Sequence, residues 1–138
     1  MSPENNTDVM DGAGASLPSW RAAAGDSAGR FEGAPYGSPV SFFVVETAPG
    51  DGPAMHRHPY AETFVVLSGR GRFEVDGRPI EVEAGDVLVA PPETAHGFRA
   101  LGPERLWLVA IHAAARMDTT WLTPGQRLEE PAPSSGQR

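Results

Sequence analysis

The sequence contains no cysteine. A chain without cysteine forms no disulfide, offers no thiolate to a metal ion and has no cysteine nucleophile. It also lacks the run of about 18 apolar residues that a transmembrane helix needs. Its N-terminal segment, MSPENNTDVMDGAGASLPSW, has neither the basic start nor the apolar stretch of a signal peptide. We therefore expect a cytoplasmic protein with no membrane partner.

Positive charge is scarce. The chain has 11 basic residues against 18 acidic ones, which gives a net charge of -7. Nucleic acids and anionic membranes are both bound through basic surfaces. The charge balance therefore disfavours nucleic acid as a partner and leaves a small-molecule substrate or ligand as the expected one.

Glycine and proline are abundant, at 16 and 14 of 138 residues, and they favour short strands joined by turns over a helical bundle. Segments rich in β-branched and aromatic residues recur at 40–45, 62–67, 72–75, 79–82, 87–90 and 106–112. Asp76-Gly77 is a hairpin signal, and 83–86 indicates a second tight turn. We expect one helical turn, at 117–122. The pattern predicts an all-β fold, either an antiparallel sandwich or a barrel.

A chain of 138 residues is long enough for one domain. Residues 1–19 and 124–138 are polar and poor in large apolar groups, and we interpret them as disordered tails around a domain at 20–123. Trp20, Phe31 and Tyr36 are expected to form an N-terminal strand that covers the barrel or a partner.

Three histidines and a glutamate form the most informative pattern in the chain. His56 and His58 are two residues apart, so on an extended segment they point to the same side. Glu62 opens the next apolar segment, and His96 follows after two more strands. Three imidazoles and a carboxylate suit a divalent transition metal. The alternative is that these are ordinary polar residues, since an isolated His-x-His pair is a weak signal.

The spacing around these residues resembles the first motif of the cupin family. Five residues separate Gly50 from His56, Arg57 separates the two histidines, three residues lead to Glu62, and six more lead to Gly69. Every fixed position of that motif matches.

The second cupin motif matches in part. Gly85, Pro91 and His96 stand at its fixed positions. Glu93 replaces a glycine and Ala100 replaces an asparagine, but neither departure removes a ligand. Because glycine readily adopts a positive φ, its replacement by Glu93 predicts a turn slightly different from that of the motif. The resemblance covers residues 38–113.

This resemblance implies a cupin barrel of antiparallel strands, also described as a double-stranded β-helix or jelly-roll-like fold. It implies one divalent transition metal per chain (Fe, Mn, Ni, Cu or Zn) held by His56, His58, Glu62 and His96. It also implies frequent dimerisation. Because several strands are apolar on both faces, we expect a homodimer in which a partner covers the second face.

Strand parity indicates which residues line a pocket. Phe64 and Val66 share a face with Glu62, and Phe98 shares one with His96, whereas Phe73 is expected in the core. Tyr60 either donates a hydrogen bond to a substrate or rests on the barrel rim.

The remaining charged and titratable residues near the motifs have weaker signals. Arg57 and Arg99 have the opposite parity to the neighbouring histidines and are expected to face away. His112 ends the last predicted strand, and the favoured interpretation is a histidine bonded to backbone or solvent. The alternative places His112 beside the metal, as a supporting group or proton shuttle.

Two functions remain open. The first is a metal-dependent enzyme of oxygenase, cyclase, isomerase or decarboxylase type, in which Glu62 is a ligand and also a base. Within this class the oxygenase, and specifically a dioxygenase, is favoured. The second is a small-molecule-binding cupin without turnover, in which the metal is structural or anchors the ligand.

Overall fold

The computed structural model describes residues 27–122. The predicted tails at 1–19 and 124–138, and Trp20, lie outside these residues. The described elements are ten strands and one short 3-10 helix at Ala34–Tyr36. In chain order the strands are β1 Ser27–Glu32, β2 Ser41–Thr47, β3 His56–Arg57, β4 Glu62–Ser68, β5 Arg70–Val75, β6 Arg78–Glu83, β7 Val87–Ala90, β8 His96–Ala100, β9 Leu106–His112 and β10 Thr120–Trp121.

The strands form two five-stranded sheets. The first has the order β1-β2-β9-β4-β7 and the second has the order β10-β3-β8-β5-β6. All the pairings are antiparallel. The predicted all-β fold of antiparallel strands is therefore confirmed. Within residues 27–122, no helix has the length and apolar character needed to cross a membrane.

Alternating side chains determine which face of each sheet is buried. Along β4, Phe64 and Val66 are buried, while the residues between them are only partly covered. Along β9 the same alternation buries Leu106, Leu108 and Ala110. Phe73 on β5 has an exposed fraction of 0% and contacts the rings of Phe64 and Phe98. The core therefore fills the space between the two sheets directly beneath the histidine cluster.

The hairpin predicted at Asp76-Gly77 joins β5 to β6. Both residues have positive φ, 54° and 79°, as a two-residue hairpin turn of the type favoured by twisted strands requires. Gly69 also has a positive φ, of 83°, and a side chain there would collide with the carbonyl oxygen of Arg105. This first-motif glycine is therefore needed for close approach of two backbone segments.

The helical turn predicted at 117–122 is wrong. Thr120 and Trp121 form β10, which pairs with Arg57 and His56 of β3. The N–H of Leu122 also donates to the carbonyl of Met55 at 3.1 Å. These partners lie more than sixty residues earlier in the chain, so long-range pairing overrides the local pattern.

The expected N-terminal strand is present in part. Phe31 lies in β1, at the edge of the first sheet, but Tyr36 lies in the 3-10 helix. Their rings stack at 5.7 Å, and Phe31 also stacks on Phe42 at 5.0 Å. The two aromatic residues thus cover the outer side of the first sheet.

Phe73→Ala is expected to lower the free energy of unfolding by about 3–5 kcal/mol, because it removes a fully buried ring and leaves a cavity. Urea unfolding followed by fluorescence measures this loss. Arg72→Ala on the same strand is the control, since Arg72 is exposed and should change stability by less than about 0.5 kcal/mol. Equal losses in both variants would contradict the assigned core.

Candidate metal centre

The two sheets bring His56, His58, Glu62 and His96 to one end of the barrel. His56 on β3 lies opposite His96 on β8, and His58 follows β3 directly. Glu62 begins β4 in the facing sheet. One ligand atom from each of the four residues lies within 4.8 Å of the others, and all four are buried. Four buried donor groups at this separation can hold one metal ion.

Backbone carbonyls orient the three imidazoles. Nδ1 of His56 lies 2.7 Å from the oxygen of Ala54, and Nδ1 of His96 lies 2.8 Å from the oxygen of Thr94. Nδ1 of His58 lies 3.0 Å from the oxygen of Asp118. A carbonyl only accepts hydrogen bonds, so each Nδ1 carries the proton and donates it. In the neutral rings the lone pair is therefore on Nε2, as a metal ligand requires.

The charges in the cluster are strongly coupled. Burial pushes the pKa of Glu62 upward, but its contacts with His112, His58 and His96 outweigh this effect and hold the pKa well below the usual range. Burial, with repulsion from His96, lowers the pKa of His56 to about 3. Burial opposes protonation of His58 too, yet the adjacent Glu62 raises the pKa of that imidazole above its usual value. Glu62 is therefore an ionised carboxylate among imidazoles of different basicity.

The favoured interpretation of His112, a histidine bonded to backbone or solvent, is wrong. Its Nε2 lies 3.1 Å from Oε2 of Glu62, and its Nδ1 lies 2.6 Å from the hydroxyl of Tyr60. The reason is the register of β9 on β4, which places His112 directly opposite Glu62. Parity grouped His112 with the inward residues of β9, but this pairing could not be read from the sequence.

Tyr60 has two hydrogen-bond partners within the protein, and its expected role as a substrate donor or a rim residue stays a prediction. Its hydroxyl binds His112 and accepts a hydrogen bond from the N–H of Asp118 at 3.0 Å. Its ring stacks on that of His58 at 5.0 Å with an interplanar angle of 9°. Burial raises the pKa of the Tyr60 phenol, so the hydroxyl keeps its hydrogen. Tyr60 is therefore a partner of the histidine cluster.

A cavity of about 710 Å³ opens beside the cluster. The predicted lining residues Phe64, Phe98 and His112 do line it, whereas Val66 belongs to the core below and Tyr60 is not part of the lining. The apolar part of the wall also includes residues that sequence reasoning did not single out: Phe43, Val45, Ala110, Met117 and Trp121. Trp121 lies against His56, with 4.7 Å between the ring centres. The cavity therefore joins the cluster to an apolar surface.

Arg57 and Arg99 face away from the cluster, as their parity indicated. Arg57 forms an exposed ion pair with Glu93 at 3.3 Å, and Arg99 donates to the carbonyl of Gly50. Glu93 has a positive φ of 62°, in the region that glycine favours. Its N–H donates to the carbonyl of His58 at 2.7 Å, which ties this turn to a candidate ligand.

One buried ring nitrogen shows that the cluster fits a cation. Among the described residues, Nε2 of His58 has no aligned hydrogen-bond partner, although it lies 2.9 Å from Oε1 of Glu62. Because that nitrogen carries a lone pair when neutral, it faces a carboxylate oxygen at a cost that a cation bound to both atoms relieves. The donor types and this arrangement suit a divalent transition metal.

Comparison with known proteins agrees with this geometry. Residues 43–112 match the family model described as a cupin domain. The dimethylsulfoniopropionate lyase DddW of Ruegeria pomeroyi is 40% identical over 75 residues, which are 54% of this chain and 49% of that protein. The quercetin 2,3-dioxygenase of Bacillus subtilis is 35% identical over 82 residues, 57% of this chain and 24% of that protein. The chain therefore spans about half or less of the length of these relatives.

A solved structure supports the same fold. A Klebsiella pneumoniae protein with a double-stranded β-helix domain superposes with a TM-score of 0.57 at 28% identity. The match covers 60% of this chain and 70% of that one. The barrel fold is thus supported by a solved structure as well as by the family match.

The stability of the metal-free protein is expected to depend on pH through His56. The unfolded chain binds a proton at His56 below pH 6.5, whereas the folded chain does so only near pH 3. Stability from this group is therefore present above pH 6.5 and is lost as the pH falls towards 3, by up to about 1.4 kcal/mol per pH unit. Chemical unfolding across this range should show a shallower decline for His56→Gln than for wild type.

The raised pKa of His58 changes stability with pH in the opposite direction. The contribution of His56 is therefore obtained from the difference between the wild-type and His56→Gln curves. Arg57→Gln, next in the chain but facing outward, should keep the wild-type slope. Parallel curves for wild type and His56→Gln would refute the assigned shift.

Proposed function

The chain belongs to the cupin family, and from this premise we propose that it is a metal-dependent enzyme that acts on a small organic molecule. One observation carries the proposal: four buried donor groups converge, and three of them, His56, His58 and Glu62, line a cavity of about 710 Å³ with a largely apolar wall. Cavities of this size enclose small organic ligands, and a few polar groups in them fix the ligand's orientation. Here the polar groups include three of the candidate metal ligands.

We assign one divalent transition metal per chain to His56, His58, Glu62 and His96. When bound, such a metal acts as a Lewis acid that polarises a substrate oxygen, or it activates water or dioxygen. The protein contributes three imidazoles whose Nε2 atoms are kept free by backbone carbonyls. It also contributes an ionised carboxylate, which offsets part of the positive charge. Iron, manganese, nickel, copper and zinc are all candidates.

The remaining residues bind the substrate and exclude water. The rings of Phe43, Phe64 and Phe98 provide an apolar surface for the body of the molecule. Glu62 is proposed as a ligand whose contacts keep it ionised, and as the catalytic base when it detaches from the metal. Dioxygenase chemistry is the first reaction class to test, since a relative at 35% identity is a quercetin 2,3-dioxygenase.

We also propose that the protein is a homodimer. Val44, Val109, Val65 and Val87 form one continuous row across four strands on the outer face of the first sheet. Val87 has an exposed fraction of 62%, and Leu67 and Val89 beside it are also exposed. A continuous apolar sheet face is best covered by a partner with the same surface, and a second copy supplies one through two-fold symmetry.

The cytoplasmic location expected from the sequence stays a prediction.

Elemental analysis is expected to find about one transition metal per chain in wild-type protein reconstituted with each candidate ion. His96→Ala and Glu62→Ala each remove a donor and should lose the metal, because the remaining ligands no longer complete the site. Arg57→Ala is the matched control and should keep full occupancy, since Arg57 faces away from the cluster. Equal metal content in wild type and all variants would count against the ligand assignment.

Turnover separates the enzyme from the binding protein. The metal-loaded wild type should convert some member of a panel of small aromatic and aliphatic substrates, with oxygen uptake as the readout for dioxygenases and product analysis for the other classes. Binding of panel members without conversion by any metal form would favour the alternative, a cupin in which the metal anchors a ligand.

The homodimer is tested by light scattering. Wild type should have twice the mass of the chain, and Val87→Glu combined with Val89→Glu should shift it to the monomer mass, because the charges would be buried in the interface. Arg72→Glu, on an exposed strand position of the second sheet, should leave the dimer intact. A monomeric wild type at micromolar concentration would refute the proposal.

A further inference from the structure

We propose that Tyr60 and His112 are a positioning pair for the carboxylate of Glu62. Tyr60 keeps the proton of His112 on Nε2, and this N–H holds Oε2 of Glu62 so that Oε1 alone faces the metal. The inference rests on the metal site proposed above, but it concerns residues outside the four-donor group. It explains why a fourth histidine lies beside a site that already has its ligands.

The hydrogen bonds of Tyr60 determine where the proton of His112 lies. The Tyr60 hydroxyl already accepts a hydrogen bond from the N–H of Asp118 at 3.0 Å, and its own hydrogen is left to donate to Nδ1 of His112 at 2.6 Å. A ring nitrogen that accepts a hydrogen bond carries no proton, so the neutral ring of His112 is protonated on Nε2. His112 is therefore the opposite tautomer to His56, His58 and His96.

The contact with Glu62 favours the same tautomer. Nε2 of His112 lies 3.1 Å from Oε2 of Glu62, and both groups are buried. With the proton on Nδ1, a nitrogen lone pair would face a carboxylate oxygen in a site shielded from water, which is repulsive. With the proton on Nε2, the same contact attracts. The contact is close but not aligned as a full hydrogen bond, so the pair acts by charge and position.

The two oxygens of Glu62 consequently have different surroundings. Oε1 is 2.9 Å from Nε2 of His58, and it is hydrogen-bonded to Nε2 of His96 at 2.9 Å; these are two of the nitrogens that would hold the metal. Oε2 faces only the N–H of His112 among the described contacts. A cation bound by the imidazoles is therefore met by Oε1, while Oε2 is held back. Groups that support a metal ligand in this way strengthen metal binding without touching the ion.

The surrounding packing fixes the pair in place. The ring of His112 contacts Phe43 edge-on at 5.7 Å and lies 4.7 Å from the ring of His58. The peptide groups of Asp118 serve both parts of the site: the N–H of this residue binds Tyr60, and its carbonyl accepts from His58. One residue of the segment after β9 thus links the positioning pair to a metal ligand.

Long-range proton–nitrogen NMR of the zinc-loaded protein at alkaline pH tests the tautomer directly. The expected result is a proton on Nε2 of His112 and a proton on Nδ1 of His56, His58 and His96, which serve as internal references. Tyr60→Phe removes the hydroxyl that binds Nδ1 of His112 and should move the Nδ1 resonance away from its hydrogen-bonded position. A wild-type His112 protonated on Nδ1, including the case in which its Nε2 binds zinc, would overturn the proposal, as would an Nδ1 resonance unchanged in Tyr60→Phe.

Zinc affinity provides the second readout. His112→Leu should raise the Kd for zinc about 10- to 100-fold, the usual effect of losing a group that supports a metal ligand. His112→Gln retains an N–H donor and should recover much of this loss. Arg72→Ala, at an exposed position of β5, is the control and should bind zinc like wild type.

The outcomes separate this inference from the proposed function. Wild-type protein that binds no zinc would overturn both. Normal zinc binding by folded His112→Leu would overturn the positioning pair alone, and so would a Kd in His112→Gln that is no better than in His112→Leu.

Discussion

The buried carboxylate of Glu62 is the constraint on which the rest of the structure depends. A carboxylate taken out of water costs several kcal/mol unless charges or donors compensate it. Compensation here comes from β3, β8, β9 and the residue after β3, because each brings one imidazole to the same end of the barrel. The charge of the Glu62 carboxylate is therefore compensated only when the strands of both sheets pair in this register. A slip of one residue in any of these strands would turn an imidazole away and leave the carboxylate unpaired.

The imidazoles differ in how locally they are held. His56 and His96 each donate to a carbonyl two residues earlier, at Ala54 and Thr94. The orientation of each of these imidazole rings is therefore set within its own short segment, whichever loop brings the two strands together. His58 instead donates to Asp118, sixty residues later. One metal ligand therefore acquires its tautomer only once the segment after β9 has folded across the end of the barrel, which makes that segment part of the metal site.

This difference in range also explains what the sequence could and could not predict. The spacing of His56, His58, Glu62 and His96 identified the cluster because motif spacing encodes strand parity and loop length. Alternation and turn residues identified most of the strands for the same reason. The register between distant strands determines the structure at 117–122 and the contact between His112 and Glu62. A local sequence pattern does not contain this register. Residues whose environment comes from a partner far along the chain were therefore the ones assigned wrongly.

The same reasoning locates specificity within the molecule. The candidate metal ligands all lie within residues 43–112, the part that matches the cupin family, so related proteins with different reactions can share this chemistry. Four residues of the cavity wall lie outside that part: Arg30 comes from the edge strand β1, and Met117, Thr119 and Trp121 come from the segment after β9. These side chains shape the space in which a substrate meets the metal. In the proposed enzyme, we expect the barrel to hold the metal and these flanking side chains to select the substrate. Substrate choice is consequently expected to follow changes at Trp121 and Met117.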